Sequence, residues 1–366
     1  MQFSSIPGHV KLKKNLLQAV QTNHIAHAQL FAGPVGSAAF SLAWAYMKLL
    51  YCEQPLADDS CGHCASCQKI SKWSHPDVSV LFPTAGGKKV SSDQFLPQWR
   101  KFTQEKPFGT VTDWLKEADF KQGNIPVEEA RQLISKLALK PYEGRYKMVL
   151  IWSAESLHSS TANALLKLLE EPPDQTLFFL VSFEPEKIVP TILSRTQRVQ
   201  VPPFLDSEVQ AYLSEHLGMT AEKAQETAFV SHGNLQLALD FIDQEGPNYH
   251  AFFSQWMRFC YGQIIEKWIT MADEFDQMSK EDQKKLLEYA LDLFRELILW
   301  TYADPSLIRL AGERQSFLEK FAQAIRTDRL EEVVLLLNQA HYHIERNVRA
   351  KIVFLDICRQ ISQFIR

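Results

Sequence analysis

The chain has 366 residues, 46% hydrophobic and 22% charged. This balance excludes wholesale disorder, collagen and coiled-coil rods, and at this length it implies two or three domains with separate cores. Lys and Arg number 39 against 43 Asp and Glu, a net charge of −4, so nothing in the overall charge points to a protein held on DNA by phosphate contacts alone. Residues 1–14 contain no apolar core for a signal peptide, and the apolar stretch 38–50 is too short to span a bilayer and includes Lys48. The expectation is a cytoplasmic protein without membrane contact.

Residues 9–22 read as an amphipathic helix carrying Val10, Leu16, Leu17 and Val20. Residues 28–31 read as a short buried strand, Gly33-Pro34-Val35-Gly36 as a turn, and the chain to about Leu50 as a helix. Strand, glycine-containing turn and helix form the opening unit of a nucleotide-type α/β domain. Residues 78–82 are a further strand candidate, whereas 83–122 is polar, contains Gly and Lys, and reads as an insertion or long loop.

From Ile125 the pattern sharpens. Pro126 suits a first helical position, Glu128 and Glu129 favour the positive end of a helix dipole, and Lys136 and Lys140 favour its negative end before Pro141. Val127, Ala130, Leu133, Ile134 and Leu137 then share one face. Residues 148–152 and 177–181 are continuous apolar strands, separated by a helix over 161–171 with Ala162, Leu165, Leu166 and Leu169 inward and Pro172-Pro173 at its end. Strands alternating with helices predict a parallel sheet. Beyond Pro202-Pro203 the strands stop: 206–245 reads as three short helices and 250–366 as longer ones, with breaks near Gly246-Pro247 and Asp304-Pro305.

Six cysteines are present, and Cys52, Cys61, Cys64 and Cys67 have the spacing C-x8-C-x2-C-x2-C. Four thiolates complete the tetrahedral set of zinc and leave no open position for a substrate, so a zinc here is structural. Redox dithiols, an iron–sulfur site and chance are the alternatives. His63 and His75 are bystanders on this reading, since four cysteines suffice.

Gly33-Pro34-Val35-Gly36-Ser37-Ala38-Ala39-Phe40 lies where a phosphate loop G-x-x-x-x-G-K-[ST] belongs. Gly33 and Gly36 are present, but Ala38, Ala39 and Phe40 stand in the places of the last glycine, the phosphate-binding lysine and the magnesium-binding hydroxyl. Taken alone, the two glycines are better explained by an ordinary strand-to-helix turn than by ATP binding.

The run Asn163-Ala164-Leu165-Leu166-Lys167-Leu168-Leu169-Glu170-Glu171-Pro172-Pro173, followed by Ile192-Leu193-Ser194-Arg195-Thr196, resembles the AAA+ subunits of sliding-clamp loaders. With the four cysteines placed after the phosphate-loop helix, and with His27-Ala28-Gln29-Leu30-Phe31 and His75-Pro76-Asp77, the resemblance narrows to the clamp loader of bacterial DNA polymerase III. It covers about residues 5–204, weakens over 205–245 and has no motif beyond. The implied fold is an α/β AAA+ module (residues 1–204) with a zinc module (about 50–75), a helical lid (205–247) and an all-α collar (248–366) that joins subunits into a ring.

Among that assembly's subunit types the sequence resembles delta-prime. Counting back from Asn163, the usual Asp-Glu of Walker B falls on Trp152 and Ser153, and the place of a sensor-2 arginine falls on Gln236. The resemblance therefore implies a subunit that does not hydrolyse ATP. It implies an arginine finger at Arg195 acting in trans on the ATP of a neighbouring motor subunit, with Ser194 and Thr196 positioning the loop. Thr196 departs from the family's cysteine. The implied partners are gamma/tau motor subunits and delta in a hetero-pentamer, and through that assembly the sliding clamp and primer-template DNA.

Competing expectations are a divergent ATP-hydrolysing gamma/tau-like motor, and a free-standing zinc-dependent nucleic-acid-binding protein. Read without the resemblance, Arg195 is a surface arginine at a helix end and Lys167 a solvated charge. Phe252, Phe253, Trp256, Phe259, Trp268 and Trp300 fall at helical spacing without a local basic excess, which fits core or interface rather than a base-stacking platform.

Overall fold

The computed structural model describes residues 1–85, 91–243, 249–303 and 312–365. The described chain forms two compact units, residues 1–219 with 231–240, and residues 220–230 with 241–366. The breaks expected near Gly246-Pro247 and Asp304-Pro305 lie outside the described residues.

The first unit is built on a parallel sheet of five strands, β1 (Ala28–Ala32), β2 (Val78–Leu81), β3 (Lys147–Trp152), β4 (Thr176–Ser182) and β5 (Gln197–Gln200), in the order β2-β3-β4-β1-β5. Every neighbouring pair is parallel. β1, β3 and β4 are buried along their whole length, as their unbroken apolar sequences require of strands covered on both faces. β5 was not anticipated: Gln-Arg-Val-Gln is polar and mostly exposed, because it pairs on one side only, with β1.

The helices of this unit are α1 (Val10–Gln21), α2 (Ala39–Tyr51), α3 (Ala65–Ser71), α4 (Ser92–Glu105), α5 (Val111–Glu117), α6 (Val127–Leu137), α7 (Ser159–Glu170), α8 (Pro190–Leu193) and α9 (Asp206–Leu217). α6 and α7 bury Ala130, Leu133, Leu137, Ala162, Leu165 and Leu169 against Leu30, Val149, Ile151, Phe178 and Leu180 of the sheet. Ile134, expected on that inward face, is 43% exposed: it sits at the margin of the stripe. On the opposite face lies α2, with Tyr46 tilted against Phe31 and edge-on to Phe179.

Of the two readings of 83–122, insertion or long loop, the long loop is corrected by α4 and α5, residues 86–90 lying outside the described residues. Thr110 and Asp113 form a reciprocal capping box at the head of α5, and Ser92 at the head of α4 donates its N–H and its hydroxyl to Glu129 of α6. Trp99, Phe102 and Trp114 are sparse in a polar sequence, yet spacing and fold bring them together on one buried patch.

Two further helices, α10 (Ala221–Ser231) and α11 (Leu235–Asp243), complete the three short helices expected over 206–245, and they contribute to both units. The second unit continues with α12 (Tyr249–Gly262), α13 (Ile265–Gln277), α14 (Lys280–Tyr302), α15 (Gly312–Ala324), α16 (Leu330–Glu345) and α17 (Ala350–Phe364). Phe253, Trp256 and Trp268 lie in its core, and Phe252, Phe259 and Trp300 pack against it, so these rings serve packing. Among the described residues no helix is long and apolar enough to cross a membrane.

Candidate functional site

Three places in the first unit carry the residues singled out by sequence. The first is the cysteine cluster. Cys52 follows α2, and α3 begins directly after Cys64, whose sulfur accepts the Cys67 N–H at 3.4 Å. The Cys61 N–H points at Cys52 Sγ (3.2 Å) and the Cys64 N–H at Cys61 Sγ (3.3 Å). All four sulfurs lie within 4.8 Å of one another. A tetrahedral zinc with Zn–S bonds of ~2.3 Å spaces its sulfurs by about 3.8 Å, so the set fits one such ion with small adjustment. At Cys61, burial that would raise the thiol is outweighed by N–H groups of Cys64 and His63, which bring it down to about 6; amide donors of this kind favour the thiolate that binds metal. His63 and His75 stay outside the cluster, and His75 stacks on Tyr51 with centroids 4.3 Å apart.

Two contacts tie the cluster to the fold. Trp44 of α2 donates its indole N–H to Ile70 O in α3 (3.2 Å). Asp59, in the loop between Cys52 and Cys61, accepts the N–H groups of Phe3 (3.1 Å) and Ser4 (2.9 Å).

The second place is the turn between β1 and α2. Gly33 donates to Ser182 O (3.1 Å), and a Cβ there would lie 2.5 Å from Val201 O. Gly36 has φ +74°, and a Cβ on it would lie 1.7 Å from Asn234 Oδ1, so glycine is required at both positions. Asn234 caps α11, its Oδ1 accepting the Leu237 N–H at 2.9 Å, while the Leu235 N–H donates to Gly36 O at 3.1 Å. The head of α11 thus sits directly on the turn. Gln236 is buried and bonds Asp240 of its own helix at 2.8 Å.

Ala38, Ala39 and Phe40 are buried at the start of α2. The Phe40 ring stacks on Trp44 and Trp73 and meets Trp99 and Trp152 edge-on, with centroids 5.7, 6.0, 5.9 and 6.2 Å away. Trp152 ends β3, and Ser153 after it has φ +60° and pairs its hydroxyl with that of Ser156 (2.7 Å). An acidic residue not singled out by sequence lies next: Glu155 accepts the Phe183 N–H at 3.2 Å, and its other oxygen is buried without a partner among the described residues. Its nearest sequence signal is its position just beyond an apolar strand, which does not distinguish it from any loop acid.

The third place is the Ser194-Arg195-Thr196 turn after α8. Arg195 pairs with Glu170 at the end of α7, and its Nη1 donates to Thr191 O (2.9 Å) and Ser194 Oγ (3.2 Å). Thr196 turns its hydroxyl back to Ile192 O (3.2 Å). The arginine side chain is 33% exposed. It borders an open groove lined also by His27, Glu170, Ser194 and Gln197. Lys167, one turn before Glu170, is exposed.

A parallel sheet with a phosphate-loop-like turn after its first strand, a helical segment seated on that turn and an inserted cysteine cluster define an α/β module of the AAA+ class. The family described as "DNA polymerase III, delta subunit" matches residues 8–204, and the chain belongs to this clamp-loader family. It is 28% identical to the DNA polymerase III subunit delta' of Escherichia coli over 65% of this chain and 60% of that protein. It is 32% identical to the delta' subunit of Pseudomonas aeruginosa over 48% and 43%, and 24% identical to the tau subunit of Bacillus subtilis over 99% and 62%. The chain thus spans between about two fifths and three fifths of the lengths of these relatives. A gamma subunit-related protein from Thermotoga maritima superposes on 96% of this chain and 99% of its own, with 15% identity and a TM-score of 0.35, a likeness too weak to carry weight.

Proposed function

We propose that the chain is a non-hydrolysing, delta-prime-like subunit of the bacterial DNA polymerase III clamp loader. In this reading it is the stator of a hetero-pentameric ring with gamma/tau and delta subunits, and it supplies Arg195 in trans to ATP held by a neighbouring motor. Residues 205–247 are the helical lid and 248–366 the collar through which the ring assembles. The ring loads the sliding clamp onto primed DNA, and the chain meets clamp and DNA as part of that assembly.

The observation that carries the reading is the contact of Phe40 with Trp152. In the phosphate-loop alignment these residues stand where a hydroxyl and an acidic side chain would hold magnesium, and here two rings occupy that volume. Ala39 offers no charge to β- or γ-phosphates, and Asn234 lies on the glycine turn where phosphate oxygens would sit. Arg195, in contrast, keeps its guanidinium at the surface. A guanidinium presented to a γ-phosphoryl group stabilises the charge that builds on its oxygens, an effect worth about 10³–10⁵ in rate in related phosphoryl transfers.

Cys52, Cys61, Cys64 and Cys67 hold a structural Zn2+ in this reading, and with four thiolates engaged the ion offers no site to a substrate. The gamma/tau-like motor is the second reading, favoured by the tau match along 99% of the chain and by Gly33 and Gly36. The purified chain decides between them: no ATP turnover above a buffer blank is expected, and magnesium-dependent turnover at the rate of a motor subunit would overturn the stator reading.

A further inference from the structure

We propose that Glu170 parks the Arg195 guanidinium within its own chain and releases it when a neighbour presents a phosphate anion. This rests on the reading of Arg195 as a trans-acting group. Glu170 is a positioning residue: it touches the arginine and never the nucleotide.

The geometry is that of a resting pose. Among the described residues Arg195 has three acceptors: Glu170, Thr191 O and Ser194 Oγ. Its Nε is buried with no acceptor among the described residues. Three acceptors engage three of the five N–H donors, so the pose leaves Nε and one Nη2 hydrogen without an acceptor among the described residues, where a fork-shaped group in its working position uses its donors in parallel. Glu170 is held in place from behind. His27 Nε2 lies 3.1 Å from Leu169 O, tying the last turn of α7 to the chain entering β1. The groove beside the pair is open, about 670 Å³, and has Ser194 and Gln197 on its wall, so a phosphoryl group reaches the guanidinium without displacing backbone.

Charge decides which partner holds the arginine. The Glu170–Arg195 pair is partly exposed, 47% and 33%, and pairs of this kind shift a population by up to about fivefold. A γ-phosphate carries more negative charge and offers three oxygens to the same fork. It therefore outcompetes one carboxylate, whereas water does not.

The test uses rings reconstituted with their partner subunits, assembly being checked by gel filtration. Steady-state ATP hydrolysis is measured with and without clamp and primed DNA, for wild type, Glu170→Gln, Arg195→Ala and the double variant. Glu170→Gln is expected to raise the unstimulated rate and lower the KM for ATP, each by up to about fivefold, and Glu170→Ala to do the same. The double variant is expected to match Arg195→Ala. Slower hydrolysis in Glu170→Gln would make Glu170 a support of the working pose and overturn parking. An unchanged Glu170→Gln beside a slowed Arg195→Ala would overturn parking and leave the trans-acting arginine standing. Full activity in Arg195→Ala would overturn both.

Discussion

The ring of Phe40 meets the indole of Trp152 edge-on, with centroids 6.2 Å apart and planes at 68°. α2 and β3 are thereby joined, and on the proposed non-hydrolysing reading this contact fills the place of a magnesium site. Trp99 of α4 closes the same volume from outside, 4.8 Å from Trp152 and 5.9 Å from Phe40. α4 thus supplies part of the packing that fills this end of the sheet.

Trp152 is fully buried. Trp152→Ala is expected to lower stability by about 3–5 kcal/mol, read as a shift in the urea midpoint followed by tryptophan fluorescence. A loss under about 1 kcal/mol would mean that the aromatic cluster is loosely packed. Combining Ala39→Lys, Phe40→Thr and Trp152→Asp should destabilise the unit and create no ATP turnover, because it buries an acid among rings.

Asp77 accepts three successive N–H groups, from Tyr142 (2.6 Å), Glu143 (2.8 Å) and Gly144 (2.8 Å). Burial alone would raise its carboxyl, but these donors outweigh it and hold the group below the usual aspartate range. The folded chain thus binds fewer protons here than the unfolded one. The stabilisation is complete above the unfolded value near ~4 and is lost as pH falls through the folded one. Asp77→Ala should cost about 3 kcal/mol at pH 7, and the gap to wild type should narrow on acidification below pH ~4. A gap constant down to unfolding would show that the donors do not favour the ionised form.

Glu155 has the opposite sign. Burial raises its carboxyl above the usual range, and its own N–H and the Phe183 N–H oppose this only in part. The folded chain holds its proton to higher pH than the unfolded one, so this group's contribution to stability falls as pH rises through the window between the two values. Glu155→Gln, which keeps an acceptor for the Phe183 N–H, should raise the melting temperature at pH 8 and do so less near pH 5. Equal effects at both pH values would contradict a buried charge at this position.

The cysteine cluster should release one zinc per chain to a chelating dye after thiol modification, and Cys61→Ser should lower its affinity. Because Asp59 holds the Phe3 and Ser4 amides from within the loop between Cys52 and Cys61, metal removal should speed hydrogen exchange at those two amides ahead of exchange in β1. Unchanged exchange there would separate the metal from the order of this segment.

The strands with unbroken apolar runs, β1, β3 and β4, were legible because burial on both faces demands such runs. The cysteine spacing was legible because one tetrahedral ion imposes it. β5 was not, since an edge strand tolerates polar residues on its open side. α4 and α5 were hidden because their few aromatic residues acquire meaning only against Phe82, just after β2, and Trp152 at the end of β3. The motif draws attention to Arg195 but not to its partner Glu170, since the pairing joins the ends of two helices with β4 between them in the chain. The closure of the Gly36 turn by Asn234 is likewise a contact across nearly two hundred residues that no local pattern announces.

The measurement that bears most directly on the central claim is clamp- and DNA-stimulated ATP hydrolysis by the ring carrying Arg195→Ala, with assembly verified. A loss of about 10³-fold or more, at an unchanged number of nucleotides bound per ring, is the predicted result. An undiminished rate in an intact ring would contradict it and leave the chain a purely architectural member of the assembly.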